Sequence, residues 1–551
     1  MMRRAVTFVL LCMLPLLARA QAAKFGFRIS GRVVHAVTGA PIAGVRLQLG
    51  PTAGAEWARV AIAGADGRFS FDGLKAGKYR LNAEYPGFVP SGFDEREDGF
   101  LSAVVTGGSV DSEHLVFRLE PSCSIAGVVT DEFNESVREA RVMLFHRAVE
   151  NGALTTHISR QMQTNDRGAY RFFPLKAGTY FVVVSGRPWY AKTPMHFYNG
   201  ARTDSNVEPT YEQNDQFNVA YPTTFYSGTT EEADATSIEL HRGEGVTADV
   251  SLRSVPAASL RVLRAKNEGA QPGSVYLSNK IFDQEAEPVQ AQTYGSSDGY
   301  VTTGFAPGKY EVHVVAMGEK PGSERIDNMD LSGETTLDLA TIKGAASAKL
   351  VGIARAEGVE LKNAFLLLRD RDSGERQGDR IAPDGKFKVD NLPPGKYEVS
   401  VGNSAGVYVV NMAASGAKVD GRLLTVPSGA DVSMAIILAK GVGEIEGTAV
   451  RGERGVSGVL VLLVPENPDT HNALFRRDQS DSDGSFKLLQ VVPGRYTLLA
   501  IEDGWDLEWT KPDVLKPFMA KGTPVVVEPG GKYNFQPVVQ PRKVADMMQA
   551  K

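Results

Sequence analysis

A two-part phrase returns five times along this chain, and its spacing constrains the fold more than any other feature. The first part is a turn running into an aromatic-bearing stretch: Ala65-Asp66-Gly67-Arg68-Phe69-Ser70-Phe71, Asn165-Asp166-Arg167-Gly168-Ala169-Tyr170-Arg171-Phe172, Ser297-Asp298-Gly299-Tyr300-Val301, Pro383-Asp384-Gly385-Lys386-Phe387-Lys388-Val389 and Ser482-Asp483-Gly484-Ser485-Phe486-Lys487-Leu488. The second part is Ala76-Gly77-Lys78-Tyr79, Ala177-Gly178-Thr179-Tyr180, Pro307-Gly308-Lys309-Tyr310, Pro394-Gly395-Lys396-Tyr397 and Pro493-Gly494-Arg495-Tyr496. Turn glycine and second glycine stand 10 residues apart in four copies and 9 in the third. Asp-Gly supplies the positive φ of a tight hairpin turn, and the aromatic after it opens a period-two strand with one apolar face. The tyrosine after the second glycine starts another alternating strand, as in Tyr397-Glu398-Val399-Ser400-Val401.

Upstream of most copies lies a further strand pair. In the first unit these are Ile29 to Val34 and Val45 to Leu49, joined by Gly39-Ala40-Pro41-Ile42-Ala43-Gly44; in the fifth they are Ile445 to Val450 and Val459 to Leu463. Short strands, frequent turns and almost no 3.6-residue pattern predict an all-β chain of about five tandem Ig-like or transthyretin-like β-sandwich modules. A length of 551 residues suits that number. The expected divisions are 21–120, 121–255, 256–345, 346–440 and 441–540, with a tail at 541–551. Hydrophobic residues at 42% and charged residues at 23% exclude wholesale disorder, collagen and a polytopic membrane protein.

The order Gly-x-Val, turn, Pro-x-x-Gly-Val-x-Leu, Asp-Gly-x-Phe-x-Phe-x-x-Leu-x-x-Gly-x-Tyr resembles the carboxypeptidase regulatory-like module, a transthyretin-like sandwich of the carbohydrate-binding-like group. The first, second, fourth and fifth units match it well. The third has the short spacing and no clear Gly-x-Val, so its match rests on Asp298 to Tyr310. The resemblance implies a module that does no chemistry itself and long exported chains built only of such modules.

Residues 1–20 read as a cleavable secretory signal: Arg3 and Arg4, an apolar run from Ala5 to Leu17, and Ala18-Arg19-Ala20 before Gln21. A secreted, periplasmic or envelope-exposed location follows, and no transmembrane segment is expected in the mature chain. Leu11 before Cys12 argues against lipidation. Cleavage removes Cys12 and leaves Cys123 alone, so no disulfide is expected. It also takes three arginines and no acid, moving the formal charge from −5 to −8; nucleic acid is excluded as a partner.

Enzyme-like strings are weak in context. Gly295-Ser296-Ser297-Asp298-Gly299 and Gly402-Asn403-Ser404-Ala405-Gly406 fit G-x-S-x-G, but strands rather than helices are expected to follow. His241-Arg242-Gly243-Glu244 has a metal-ligand spacing without a third ligand or an α/β scaffold, and reads as a turn. Asp478, Asp481 and Asp483 read as the repeat's hairpin turn rather than a calcium loop. The other histidines stand singly. No catalytic residue, metal or cofactor is expected.

The positive signal is aromatic. Residues 186–234, after the second unit's Tyr-led strand, hold Trp189, Tyr190, Tyr198, Tyr221, Phe225 and Tyr226 among polar residues, and 502–522 holds Trp505 and Trp509. Such insertions emerge at sandwich ends, where binding loops lie. Flat rings beside Asn, Asp and Gln suit sugar faces and hydroxyls, which makes these eight residues candidate ligand contacts. The competing reading has them cover a sandwich end or seat a neighbouring module, since large aromatics more often pack than bind. The expected function is non-enzymatic binding or adhesion to a glycan or envelope protein; the alternatives are a structural spacer or accessory subunit, and a hydrolase with degenerate motifs.

Overall fold

The computed structural model describes residues 26–542, apart from 54–57, 98, 108–110, 192–216, 264–270, 283, 286–288, 290, 297–298, 318–321, 339–346, 357–360, 362, 372–373 and 375. The signal segment, Tyr198 and Ser297 lie outside the described residues. The same strand arrangement is built five times. In each unit an opening strand (Phe27–His35, Cys123–Thr130, Ala258–Leu263, Ala348–Ala356, Gly443–Thr448) pairs antiparallel with the strand that follows the Asp-Gly turn. On its other side it pairs parallel with a late strand (Leu115–Leu119, Gly245–Thr247, Glu334–Asp338, Asp431–Lys440, Lys532–Phe535). A second sheet joins the next strand (Arg46–Pro51, Arg141–Glu150, Gln271–Ser278, Phe365–Asp370, Leu460–Pro465) antiparallel to the Tyr-led strand. The third unit, without Gly-x-Val, makes its opening strand from Ala258–Leu263.

The repeated letters have local physical causes. Gly67 sits at φ 75°, and a Cβ there would lie 2.6 Å from the Val33 carbonyl oxygen; the Gly67 carbonyl in turn accepts from Val33 N at 2.8 Å. Gly385 repeats this against Ala354. Only a residue without a side chain lets the turn lie against the opening strand. Each repeat tyrosine donates its hydroxyl to the carbonyl four residues earlier: Tyr79 to Lys75 at 3.0 Å, Tyr180 to Lys176 at 3.0 Å, Tyr310 to Ala306 at 2.5 Å, Tyr397 to Pro393 at 2.8 Å and Tyr496 to Val492 at 2.6 Å. The ring fills the core while the hydroxyl ties down the turn before its strand. This is the logic of a tyrosine corner. Burial pushes the phenols of Tyr310 and Tyr496 up to about 12, so both stay donors.

Five separate apolar cores result, spanning residues 29–119, 123–252, 258–337, 348–438 and 445–539. Two further clusters lie on outer sheet faces. In the second unit Met143, Phe145, Phe181, Val183 and Phe225 are covered by Ile281 and Phe282 of the third. In the fifth, Leu460, Leu462, Val464, Leu499 and Ile501 are covered by Trp505, Leu507, Trp509, Leu515 and Phe518. The sequence leaves segment 502–522 two readings, a surface platform and a cover for a sandwich or its neighbour. It folds back through the short helix Pro512–Met519 and buries Leu515 and Phe518 on the fifth sandwich. That sheet's outer face is apolar, and covering it removes it from water at about 25 cal/mol per Å².

The units are docked on one another. The first and fifth join through Lys78 Nζ to Asp481 Oδ2 (2.5 Å), Ala103 N to Asp481 Oδ1 (2.7 Å), Val105 N to Ser482 Oγ (2.9 Å) and Ser102 Oγ to the Ser480 carbonyl (2.9 Å). The first touches the second through Lys176–Glu95 and Arg242–Glu120, and the fourth touches the fifth where Ala473 N meets Glu398 Oε1 at 2.7 Å. The hairpin tip Asn151-Gly152 of the second unit reaches the fifth, where Thr510 N and Oγ1 donate to the Gly152 carbonyl at 3.1 and 2.6 Å.

Candidate functional site

The turn after Cys123–Thr130 is tied by the buried Asp131 carboxylate, whose Oδ1 accepts from Phe133 N at 2.9 Å and Glu135 N at 2.8 Å, with Asn134 at φ 61°. This fixes Phe133 with its ring outward, 70% exposed. Beside it runs the segment leaving the strand Gly178–Ser185, carrying Trp189 and Tyr190. Trp189 is 83% exposed and meets Tyr190 edge-on at 5.8 Å; Phe133 also meets Tyr190, at 6.5 Å.

Glu132 anchors the arrangement. Its Oε1 accepts from the Tyr190 hydroxyl and from Ser254 Oγ (2.7 Å), and its Oε2 from Tyr221 at 3.5 Å. Burial works to raise the Glu132 carboxyl, but the hydrogen bonds from Tyr190, its own backbone, Ser254 and Tyr221 outweigh it and hold the group below the usual range. Tyr190 and Tyr221 are pushed up by burial and by that anion. Alongside lies an open polar cavity of about 390 Å³ lined by Asp131, Glu132, Asn134, Ser251, Arg253 and Ser254. Two exposed rings near a cleft of carboxylate, amide, hydroxyl and guanidinium offer an apolar stacking face and hydrogen-bonding groups of the kind a polyol uses.

Of the eight sequence candidates, Trp189 and Tyr190 are together here, with Tyr221 buried beneath. Tyr198 lies outside the described residues, and the other four are packed to different degrees. Phe225 is buried against Phe282 at 5.8 Å, and Tyr226 lies partly buried on the second core. Trp505 is buried 5.2 Å from Phe100 of the first unit, its Nε1 donating to the Gly458 carbonyl at 3.2 Å; Trp509 is buried 5.0 Å from Phe475. Phe225, Trp505 and Trp509 serve cores and junctions, and Tyr226 keeps part of its surface exposed. Phe133 was missed because it stands outside both aromatic-rich segments; the polar Asp131-Glu132-Phe133-Asn134 turn was the available signal.

Among the described residues, Ser404 lies in a turn before the strand Val407–Ser415, with no helix following. His241 and Glu244 form an exposed turn, His241 N donating to Glu244 Oε2 at 2.8 Å. Asp483 caps its hairpin through Ser485 N at 2.9 Å, while Asp481 is used in docking the first unit. One unforeseen constellation joins Ser278, His313 and Glu311. His313 Nε2 lies 2.8 Å from Ser278 Oγ, and Glu311 approaches that same nitrogen at 3.8 Å. A relay needs the acid on the opposite ring nitrogen, so this is not a triad geometry.

The fold and site define a multi-module β-sandwich protein. The sequence profile of the carboxypeptidase regulatory-like domain matches residues 28–102, within the first unit. No curated protein matches the chain. Among solved structures it is similar to the Bacillus anthracis TIE protein at 10% identity, over 94% of this chain and 68% of that one, with a TM-score of 0.15. It is similar to GBS52, the minor pilin of Streptococcus agalactiae, at 14% identity over 42% of this chain and 97% of that one, with a TM-score of 0.20. The RrgB pilus protein from Streptococcus pneumoniae is similar at 8% identity over 69% and 90%, with a TM-score of 0.15. No helix among the described residues is long and apolar enough to cross a membrane.

Proposed function

We propose that this chain is a non-catalytic, exported binding protein whose docked sandwich units present the Phe133–Trp189–Tyr190 surface to a glycan. The exposure of Trp189 and Phe133, both in ring contact with Tyr190, whose hydroxyl reaches Glu132 and Ser254 of the polar cleft, carries the reading. Exposed apolar rings grouped together and bordered by polar residues are the pattern that marks an interaction site. The test is a glycan array with the purified mature chain and with Trp189→Ala. Loss of a central aromatic contact costs about 2 kcal/mol or more, so the variant is expected to bind ~30-fold more weakly while melting like the parent.

A second reading, a structural or accessory subunit of the cell envelope, is favoured by the aromatics and charges built into unit junctions. It expects no array signal from the parent chain.

A further inference from the structure

The hairpin formed by Arg141–Glu150 and Ala153–Gln163 overhangs its sandwich. Pairing with the Tyr-led strand ends at Arg147–Thr179, while the hairpin itself continues to the Glu150–Ala153 pair. Even-numbered side chains of its first strand face inward: Val142 and Leu144 sit in the second core. Continuing that face past the core brings His146 and then Glu150, with His157 directly opposite His146. One ligand atom from each of the three lies within 4.8 Å of the others.

The details favour a shared cation over a structural contact. His157 Nδ1 is buried without a hydrogen-bond partner, and the Glu150 Oε1 facing it is 3.5 Å away, too long for a good hydrogen bond. Two ligands at ~2.0–2.1 Å from a tetrahedral zinc stand about 3.4 Å apart, which matches that gap. His146 is held in place, stacked on Tyr180 at 4.7 Å and 26°. Gly178 leaves room for it, since a Cβ there would meet His146 Nε2 at 2.9 Å.

We propose that His146, Glu150 and His157 bind a borderline divalent transition metal, with zinc the ion that two imidazoles and one carboxylate suit best. The donor set is too nitrogen-rich for calcium or magnesium. Three protein ligands leave one position for water. Bound there, the ion braces the overhang whose tip docks on Trp509 and Thr510 of the fifth unit.

The test uses the tag-free, chelator-stripped mature chain titrated with zinc against a chromophoric chelator, and with cobalt(II) for its visible bands. One equivalent is expected, with tetrahedral-type cobalt absorption. His157→Ala and the near-isosteric Glu150→Gln each weaken binding by more than ~10-fold, beyond the lower end of what losing an outer partner costs. His241→Ala, in an exposed turn, leaves it unchanged. Metal-free melting curves establish that the variants fold, and Glu150→Gln decides if His157→Ala does not. No zinc bound by the parent chain, or equal binding by the parent and Glu150→Gln, overturns the site.

Discussion

Arg477→Ala tests whether the first, second and fifth units are locked at one point. The Arg477 guanidinium lies 4.3 Å from the Phe100 ring centroid and 5.8 and 5.9 Å from those of Trp505 and Trp509. It grips Glu97 of the first unit with both terminal nitrogens and donates to Asn151 Oδ1 of the second at 2.9 Å. The two charged side chains keep only 10% and 16% of their surface. Removing the cation from a buried pair leaves the carboxylate dehydrated and unpaired, at a cost of about 3–5 kcal/mol. The units are covalently linked, so Glu97 can escape by undocking, and the penalty becomes a ~10²- to 10⁴-fold shift towards the opened form. The amides of Ala103, Val105 and Ser482 donate across this junction, to Asp481, Ser482 and Ala103, and report opening by hydrogen exchange. They should exchange faster by that factor while core amides such as Leu81 and Leu498 stay protected. Glu97→Gln added to Arg477→Ala should restore part of the protection, because no orphaned charge remains. Parental exchange rates in Arg477→Ala, or a double variant no better than the single, would refute the lock.

Phe282→Ala removes the ring lying 5.1, 4.7 and 5.8 Å from Phe145, Phe181 and Phe225, and should cost the junction of the second and third units about 3 kcal/mol, seen as separate melting of the third unit by calorimetry. Tyr397→Phe leaves the Pro393 carbonyl without its donor and should destabilise the fourth unit by about 1–3 kcal/mol in urea unfolding, with the slope of the transition unchanged. Burial pushes Asp478 up to about 6 from 3.8, so the fifth unit gains stability as pH falls. That gain is complete below about 4 and lost as pH rises through about 6, at most about 3 kcal/mol, and Asp478→Asn should flatten this slope in denaturant titrations between those pH values.

The repeat was legible because its letters answer to local physics. A turn glycine that must approach a backbone carbonyl, and a tyrosine that must reach the carbonyl four residues back, recur wherever the same strand crossing recurs. The aromatic segments were legible only as segments. Trp189 and Trp505 each follow the Tyr-led strand of their unit by four residues, yet one stands in water and the other lies against Phe100, about 400 residues earlier in the chain. Their place in the repeat does not distinguish them, because the outcome depends on which unit docks alongside.

A subtler signal for docking was nevertheless in the letters. Strands of the fourth unit alternate, as in Lys386–Leu392, whose outer side meets water. Leu460–Pro465 and the stretch from Tyr180 to Val184 are apolar without interruption and buried on both faces. An unbroken run in an antiparallel sandwich means that something covers the outside, and it marks the fifth and second units as those with covered outer faces. The metal-site geometry was readable by the same kind of counting. Asn151-Gly152, both at positive φ, make a two-residue hairpin turn, and such a turn pairs residues equidistant from its centre. His146 and His157 are equidistant from it, so two histidines that look solitary along the chain are obliged to face each other across the hairpin, with Glu150 on the same face four residues from His146.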